Sequence, residues 1–329
     1  FDVGGANRIA LKNHLAALGL DPAAFHDADN ATILGFLRDR NAQGGTPTAR
    51  VRVMLVGHGG AGKTALARRI VRGTFEAGTP ATDGVELHEV ELPIPGAGEG
   101  RAEGKDREEE EGEANTALPA RITLQIVDTA GEPLFSGLRS LFYDATAILV
   151  LAVNPTAVAP DKVELLLLSF AATIHAQAGN ARVVVVATHA RDQTPEHAAT
   201  MDAAMTLLVH HHANVDPAWL AVDSLDGHGV EALVARVRDT ALDADAMPHV
   251  TQLLPRLYVE LQRKLTALAA AEGTFSLDPD ALAATAAEAG IHDPDVLARA
   301  VSLYHAWGVV HALPGASGHV VLQPQRLVE

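Results

Sequence analysis

Six short apolar runs punctuate the middle of the chain: Val51–Val56, Val85–Leu92, Ile122–Val127, Ile148–Val153, Val183–Ala187 and Leu220–Val222. Five are nearly continuous apolar strings, the pattern of strands buried on both faces of a mainly parallel sheet. The exception sets Val85, Leu87, Val90 and Leu92 against Glu86, His88, Glu89 and Glu91. Such alternation predicts a strand at the sheet's edge, with one face in solvent. Amphipathic stretches separate the runs. Strand–helix alternation of this kind predicts an α/β domain over 47–243, with helices on both faces of the sheet.

The flanks have a different texture. Ala10 to Leu20 and Ala31 to Leu37 show helical apolar spacing around the turn-prone Asp21-Pro22, so residues 1–46 read as an N-terminal helical linker, an appendage to the α/β domain. After Ala241 a linker running from Asp243 to Pro248 leads into residues 244–329. There Leu253–Ala271 predicts a helix with Leu254, Leu257, Leu261 and Leu265 on one stripe, followed by helices over Pro279–Ala289 and Pro294–Trp307. Strands Val309–Leu313 and His319–Leu322 around Pro314–Gly318 complete a smaller, winged-helix-like α+β domain. Within the α/β domain, residues 93–119 lack apolar periodicity and carry Glu108–Glu111. They predict a disordered inserted loop; an acidic binding segment is the alternative.

Charge and composition narrow the function classes. The 329 residues include 41 acids, 25 bases, no cysteine and a net charge of -16. The insertion alone holds 8 acids and 3 bases, so close to a third of the excess belongs to one loop. Cysteine's absence excludes disulfide scaffolds, thiolate metal sites and a cysteine nucleophile. An acidic chain lacks the positive field that nucleic acids or anionic membranes attract. Residues 250–329 carry 5 bases against 8 acids, which argues against DNA binding by the winged helix. No apolar run approaches the roughly 18–20 residues of a membrane span, and no secretory signal is present, so a cytoplasmic location is expected. The chain opens on Phe1, as expected of a segment from a longer protein.

The chemistry is concentrated at the first buried strand. Gly57-His58-Gly59-Gly60-Ala61-Gly62-Lys63-Thr64 follows Val51–Val56 and opens an apolar-periodic helix over Ala65–Arg72. This is G-x-x-x-x-G-K-[ST] in its required strand–loop–helix context. Its glycines let backbone N–H groups turn inward around phosphates, and the helix N-terminus through Ala65 adds a favourable dipole. Lys63 is placed to reach the β/γ-phosphates and Thr64 to ligate Mg²⁺. His58 either approaches phosphate or caps the turn. Asp128 ends the strand Ile122–Val127, where an acid that helps hold Mg²⁺ is needed.

Asp128-Thr129-Ala130-Gly131 resembles a GTPase switch, with Gly131 offering an N–H to the γ-phosphate and Glu132–Tyr143 as switch II. Thr82, before Gly84 and the edge strand, resembles the switch I threonine that closes over Mg²⁺ and the γ-phosphate. Thr188-His189-Ala190-Arg191-Asp192 and Ser224-Leu225 follow later strands where base-reading elements are expected, so Thr188, His189, Asp192, Ser224 and Leu225 join the candidate nucleotide site. With Thr188-His189, Thr82-x-Gly84-Val85, Trp307–His311 and Val320–Val328, the chain resembles the ROCO family, a Roc GTPase followed by COR. Asn30–Arg38 is similar to the helix that joins leucine-rich repeats to Roc. The resemblance implies a P-loop small-GTPase-like sheet followed by the winged-helix first part of COR. It implies Mg²⁺ as cofactor, GTP and GDP as ligands, signalling through the COR part, and a homodimer formed through COR sequence not included here. Lys63, Thr82, Gly131 and Glu132 would then carry catalysis, and Thr64, Thr82 and Asp128 the metal.

Two departures stand out. Arg191 occupies the acid's place in Thr-His-x-Asp, with Asp192 one residue late; Glu132 stands where many GTPases orient water with Gln. The first bears on guanine preference, the second on rate. A NACHT-like ATPase switch and a nucleotide-locked scaffold without turnover are the competing readings. Arg68 and Arg69, on the helix after the loop, are expected to face solvent or acids. His210-His211-His212 reads as a solvated helix end, since adjacent helical side chains point about 100° apart and cannot converge on one ion.

Overall fold

The computed structural model describes residues 15, 20, 25, 28–75, 85–97, 119–129, 146–179, 181–247, 250–270, 274–307, 309–312 and 318–322. They divide into two compact units. One unit spans Arg50–Leu92 and Thr123–Ala246; the other takes the described residues up to Ala49, those of Pro93–Ile122 and those from Met247 onward.

The first of these units is built on β2 (Arg50–Gly57), β3 (Val85–Pro93), β4 (Arg121–Thr129), β5 (Ile148–Val153), β6 (Arg182–Ala187) and β7 (Leu220–Ala221). They form one sheet in the order β3-β4-β2-β5-β6-β7. β2 pairs in parallel with both β4 and β5, β5 with β6, and β6 with β7. The alternating segment is the edge strand, as its pattern requires. All six residues of β5 are buried, because helices cover both faces. Those helices are α2 (Lys63–Arg72), α3 (Pro160–Ala178), α4 (Pro195–His211) and α5 (Val230–Leu242). Proline in the first turn starts α3 and α4, where its missing N–H costs nothing. Val163, Leu167, Ala171 and Ile174 of α3 and Met201, Met205 and Leu208 of α4 pack on Leu149, Leu151, Val183 and Val185 in an almost purely aliphatic core.

The other unit contains α1 (Asn30–Gln43), β1 (Gly45–Pro47), β8 (Leu253–Pro255), α6 (Arg256–Ala270), β9 (Ser276–Leu277), α7 (Pro279–Glu288), α8 (Pro294–Ala306), β10 (His311–Ala312) and β11 (Val320–Val321). The wing is a three-stranded antiparallel sheet in the order β10-β11-β9. Its helices match the expected winged-helix part, with Asp278 and Asp293 capping α7 and α8 through their side chains. One expectation fails. Leu254 does not extend α6; it lies in β8, paired antiparallel with β1, because Pro255 disfavours helical backbone in the residue before it.

The N-terminal segment read as an appendage shares this unit's core. Leu15, Leu20, Phe25, Ile33 and Phe36 form one cluster with Leu254, Tyr258, Leu261, Leu265, Ala300 and Tyr304. A buried polar network ties the same elements together. Asp39 of α1 takes the Tyr258 hydroxyl at 2.8 Å and two Arg299 N–H groups at 3.0 Å each, and Tyr304 donates its hydroxyl to the Tyr258 carbonyl. Burial and the bond to Asp39 push the Tyr258 phenol far above its ordinary range, so it stays a donor at every working pH. Gly35 gives Arg299 its room: a Cβ there would come within 2.7 Å of the Arg299 side chain. Tyr258→Phe, which removes one acceptor–donor pair but leaves the Asp39–Arg299 pair, is expected to cost about 1 kcal/mol in a denaturant titration.

The expected inserted loop falls mostly outside the described residues. Its described beginning is ordered: β3 runs to Pro93, Ile94 is buried, and its N–H bonds the Ala120 carbonyl at 2.9 Å. Among the described residues, no helix is long and apolar enough to cross a membrane.

Candidate functional site

β2 carries the chain straight into the glycine-rich loop. Gly57 is its last residue, at φ 148°, and a Cβ there would lie 2.1 Å from the Ala152 carbonyl oxygen of β5. Only glycine lets the loop leave the sheet this close to its neighbour. Gly60 and Gly62 follow at φ 76° and 77°, with open space beside Gly59 and Gly60 where a ligand could approach backbone. Gly62 is the N-cap of α2, so Lys63, Thr64 and Ala65 form the helix's first turn. Ala61 is fully buried.

Lys63 is itself buried, and its ammonium donates to the carbonyls of Gly57 at 3.0 Å and His58 at 3.1 Å. The cation is thereby fixed at the centre of the loop. His58 braces the loop from outside. Its Nε2 accepts the Asn154 N–H at 3.2 Å while Nδ1 lies 2.7 Å from the Gly59 carbonyl, a pair of contacts that requires the neutral Nδ1–H tautomer. Both ring nitrogens thus engage the protein, the geometry of a turn cap. Burial, seconded by the Lys63 charge, holds this imidazole below the ordinary 6.5. The sign follows: the brace contributes fully above pH 6.5 and is lost as pH falls through the lowered folded value. The stability gap between the wild type and His58→Ala should be flat above pH 6.5 and close below it, measured by thermal melts across pH.

Asp128 reaches the same edge through strand register. It pairs with Leu55 across the parallel β2–β4 ladder, two residues before Gly57, and is fully buried. Beside it, the Thr129 hydroxyl donates to the Leu55 carbonyl at 2.8 Å, locking the two strand ends. Thr188 follows β6, and its N–H bonds the Val153 carbonyl at 2.8 Å. His189 adopts φ 58°, the left-handed region that costs a non-glycine residue about 1–2 kcal/mol. A Cβ on Gly62 would sit 3.5 Å from the His189 ring and 3.8 Å from Thr188, which places the base-side loop against the phosphate loop.

The sites predicted from sequence thus gather at the carboxyl edge of one sheet, where open α/β folds bind ligands. Gly57–Ala65, Asp128 and Thr188-His189 are brought together. Asp192 is exposed on a 3-10 turn, Ala190–Asp192, while Ser224 is half-buried and Leu225 exposed in the loop after β7. Thr82, Gly131 and Glu132 lie outside the described residues. Three residues escaped the sequence reading, and a fourth, Arg69, makes a contact that it did not expect. Gln193 pins the base-side loop by donating to the Ala187 and Thr188 carbonyls. Asn154 receives the His58 brace, and Asp223 is a buried acid immediately before Ser224. Arg69, expected to face solvent or acids, instead donates to the Asp226 carbonyl at 2.8 Å, and so docks the loop after β7 onto α2. A polar residue at the end of an apolar strand was the available signal for Asn154 and Asp223; Gln193 and Arg69 had none.

The donor set fits a hard divalent cation. Thr64 and Asp128 offer a hydroxyl and a carboxylate, and among the described residues no three His, Cys, Asp or Glu side chains converge on one point. Magnesium suits such a site, because it takes one or two protein oxygens and completes its shell with phosphate and water.

Residues 52–191 match the family model described as Roc, the Ras of Complex, Roc, domain of DAPkinase. Among solved structures, the RocCORdC portion of Roco2 from Methanosarcina barkeri bound to GDP has the same fold. Its TM-score is 0.59 at 15% sequence identity, over 85% of this chain and 75% of that chain. No curated protein matches the chain.

Proposed function

For a chain that carries a Roc domain, with its GTPase-like fold, over residues 52–191, we propose a guanine-nucleotide switch that hydrolyses GTP slowly. The observation that carries this reading is the registered meeting of a glycine-rich loop, a buried Lys63 and the strand-end Asp128. The GDP held by the Methanosarcina protein of like fold supports the choice of nucleotide.

In this reading the loop N–H groups and Lys63 bind the β- and γ-phosphates and stabilise charge as water attacks the γ-phosphorus in line, the bond from that phosphorus to the β–γ bridging oxygen breaks, and GDP and phosphate leave. Thr64 and Asp128 would hold Mg²⁺, which would supply positive charge to offset that of the phosphates. Thr82 and the Gly131 N–H close on the γ-phosphate and are released when it leaves, changing the surface offered to the winged-helix part. Glu132 replaces the amide that would orient water, and a carboxylate near the γ-phosphate adds repulsion. Slow turnover follows, on the order of 10⁻⁴ to 10⁻² s⁻¹, the intrinsic range of unassisted GTPases.

Single-turnover phosphate release from bound GTP tests the reading. Release over minutes to hours, with ATP inert, is the expected result. Stable GTP with no phosphate released over a day would point to a scaffold, and faster release from ATP to an ATPase switch.

A further inference from the structure

The base-side loop poses a chemical problem that its neighbour solves. Guanine presents two donors, N1–H and the 2-amino group, so its recognition needs an acceptor. Arg191 carries donors only and cannot serve. Asp192 stands exposed on the 3-10 turn. Asp223, at the end of β7, is buried and directed at the same loop: its Oδ2 accepts the Arg191 N–H at 3.2 Å and lies 3.8 Å from the Arg191 guanidinium Nε. Its Oδ1 accepts the Leu225 N–H at 2.9 Å.

We infer that Asp223 supplies the purine-selecting carboxylate, with Arg191 positioning it; this rests on the guanine-nucleotide reading above. A carboxylate has about four lone-pair sites, and two backbone N–H groups leave acceptor capacity for the base edge. The turn at Leu225 alone does not explain the residue, since Asn would close that turn as well without a buried charge. Placement agrees. Arg69 holds the Asp223–Gly229 loop on the helix that begins the phosphate site, and Gly62 abuts Thr188 and His189. The acid and its partner have in effect exchanged loops: the arginine sits where the motif's acid belongs, and the acid arrives from the loop after β7.

Xanthine differs from guanine by a carbonyl at C2 in place of the amino group, so an amide at position 223 should invert the preference. The test compares GDP, XDP and IDP affinities of the wild type, Asp223→Asn and Asp192→Asn, with Mg²⁺ present. Asp223→Asn is expected to weaken GDP at least ~30-fold while strengthening XDP, because an unpaired buried polar group discriminates strongly. With Asp223 carrying the selection, Asp192→Asn should stay within about threefold of the wild type for all three. An unchanged XDP-to-GDP ratio in Asp223→Asn, or an inverted ratio in Asp192→Asn, overturns the assignment. If Asp223→Asn does not fold, Asp192→Asn decides: retained preference for GDP over IDP supports Asp223, and lost preference refutes it. A wild type that binds no guanine nucleotide overturns the underlying reading as well, and is distinguished from tight GDP binding that ignores position 223.

Discussion

Lys63→Ala is expected to weaken GTP and GDP binding by ~10–150-fold, read by calorimetry. A charge-assisted bond to phosphate is worth about 1.5–3 kcal/mol, and each 1.4 kcal/mol is a factor of ten in affinity. The ammonium is already fixed in the loop by the Gly57 and His58 carbonyls, so little ordering cost opposes the phosphate contact in the wild type. Removing it leaves those two carbonyls to water beside an open loop, a smaller loss. The variant should therefore melt within a few degrees of the nucleotide-free wild type while the stabilisation by GDP disappears. Unchanged GDP affinity in Lys63→Ala would remove the basis for a phosphate site here.

The second large effect lies in the other unit. Asp39→Ala strands the Arg299 guanidinium and the Tyr258 hydroxyl in a largely buried position, where Asp39 is 9% exposed. Breaking a buried pair from one side typically costs about 3–5 kcal/mol, and the partial exposure of Arg299 puts the expectation near the lower end. Against the 5–15 kcal/mol of a typical domain this is a severe loss. Asp39→Asn, which keeps an acceptor, should lose clearly less. A denaturant titration that follows the Trp307 region of this unit checks both. Equal, small effects of the two substitutions would show that the network does not hold α1 to α6 and α8.

The same residues show how far the sequence could be read. The sheet was legible because its strands are buried on both faces, so Val51–Val56, Ile148–Val153 and Val183–Ala187 announce themselves without knowledge of their neighbours. Gly57–Thr64 was legible because phosphate binding fixes residue types at fixed spacing. Pairings distant in sequence were not. Gly45–Pro47 becomes a strand only against Leu253–Pro255, and Leu254 keeps its buried place while changing from expected helix to strand. Nothing local in Asn30–Gln43 says that Ile33, Phe36 and Asp39 belong with residues more than two hundred positions later. Asp223 was missed for a similar reason, because its partner is Arg191 in another loop and the neighbouring Ser224 fitted the expected pattern by position.

A guanine-nucleotide switch requires that the carboxyl edge of this sheet bind guanine nucleotides. Titrating GDP, GTP and ATP separately into the purified wild-type chain with Mg²⁺ tests it most directly. GDP and GTP should bind with Kd in the micromolar range or tighter, and ATP at least ~100-fold more weakly, since a carboxylate facing adenine N1 meets a lone pair rather than a donor. ATP binding as tight as GDP, or no heat from any of the three, would contradict it.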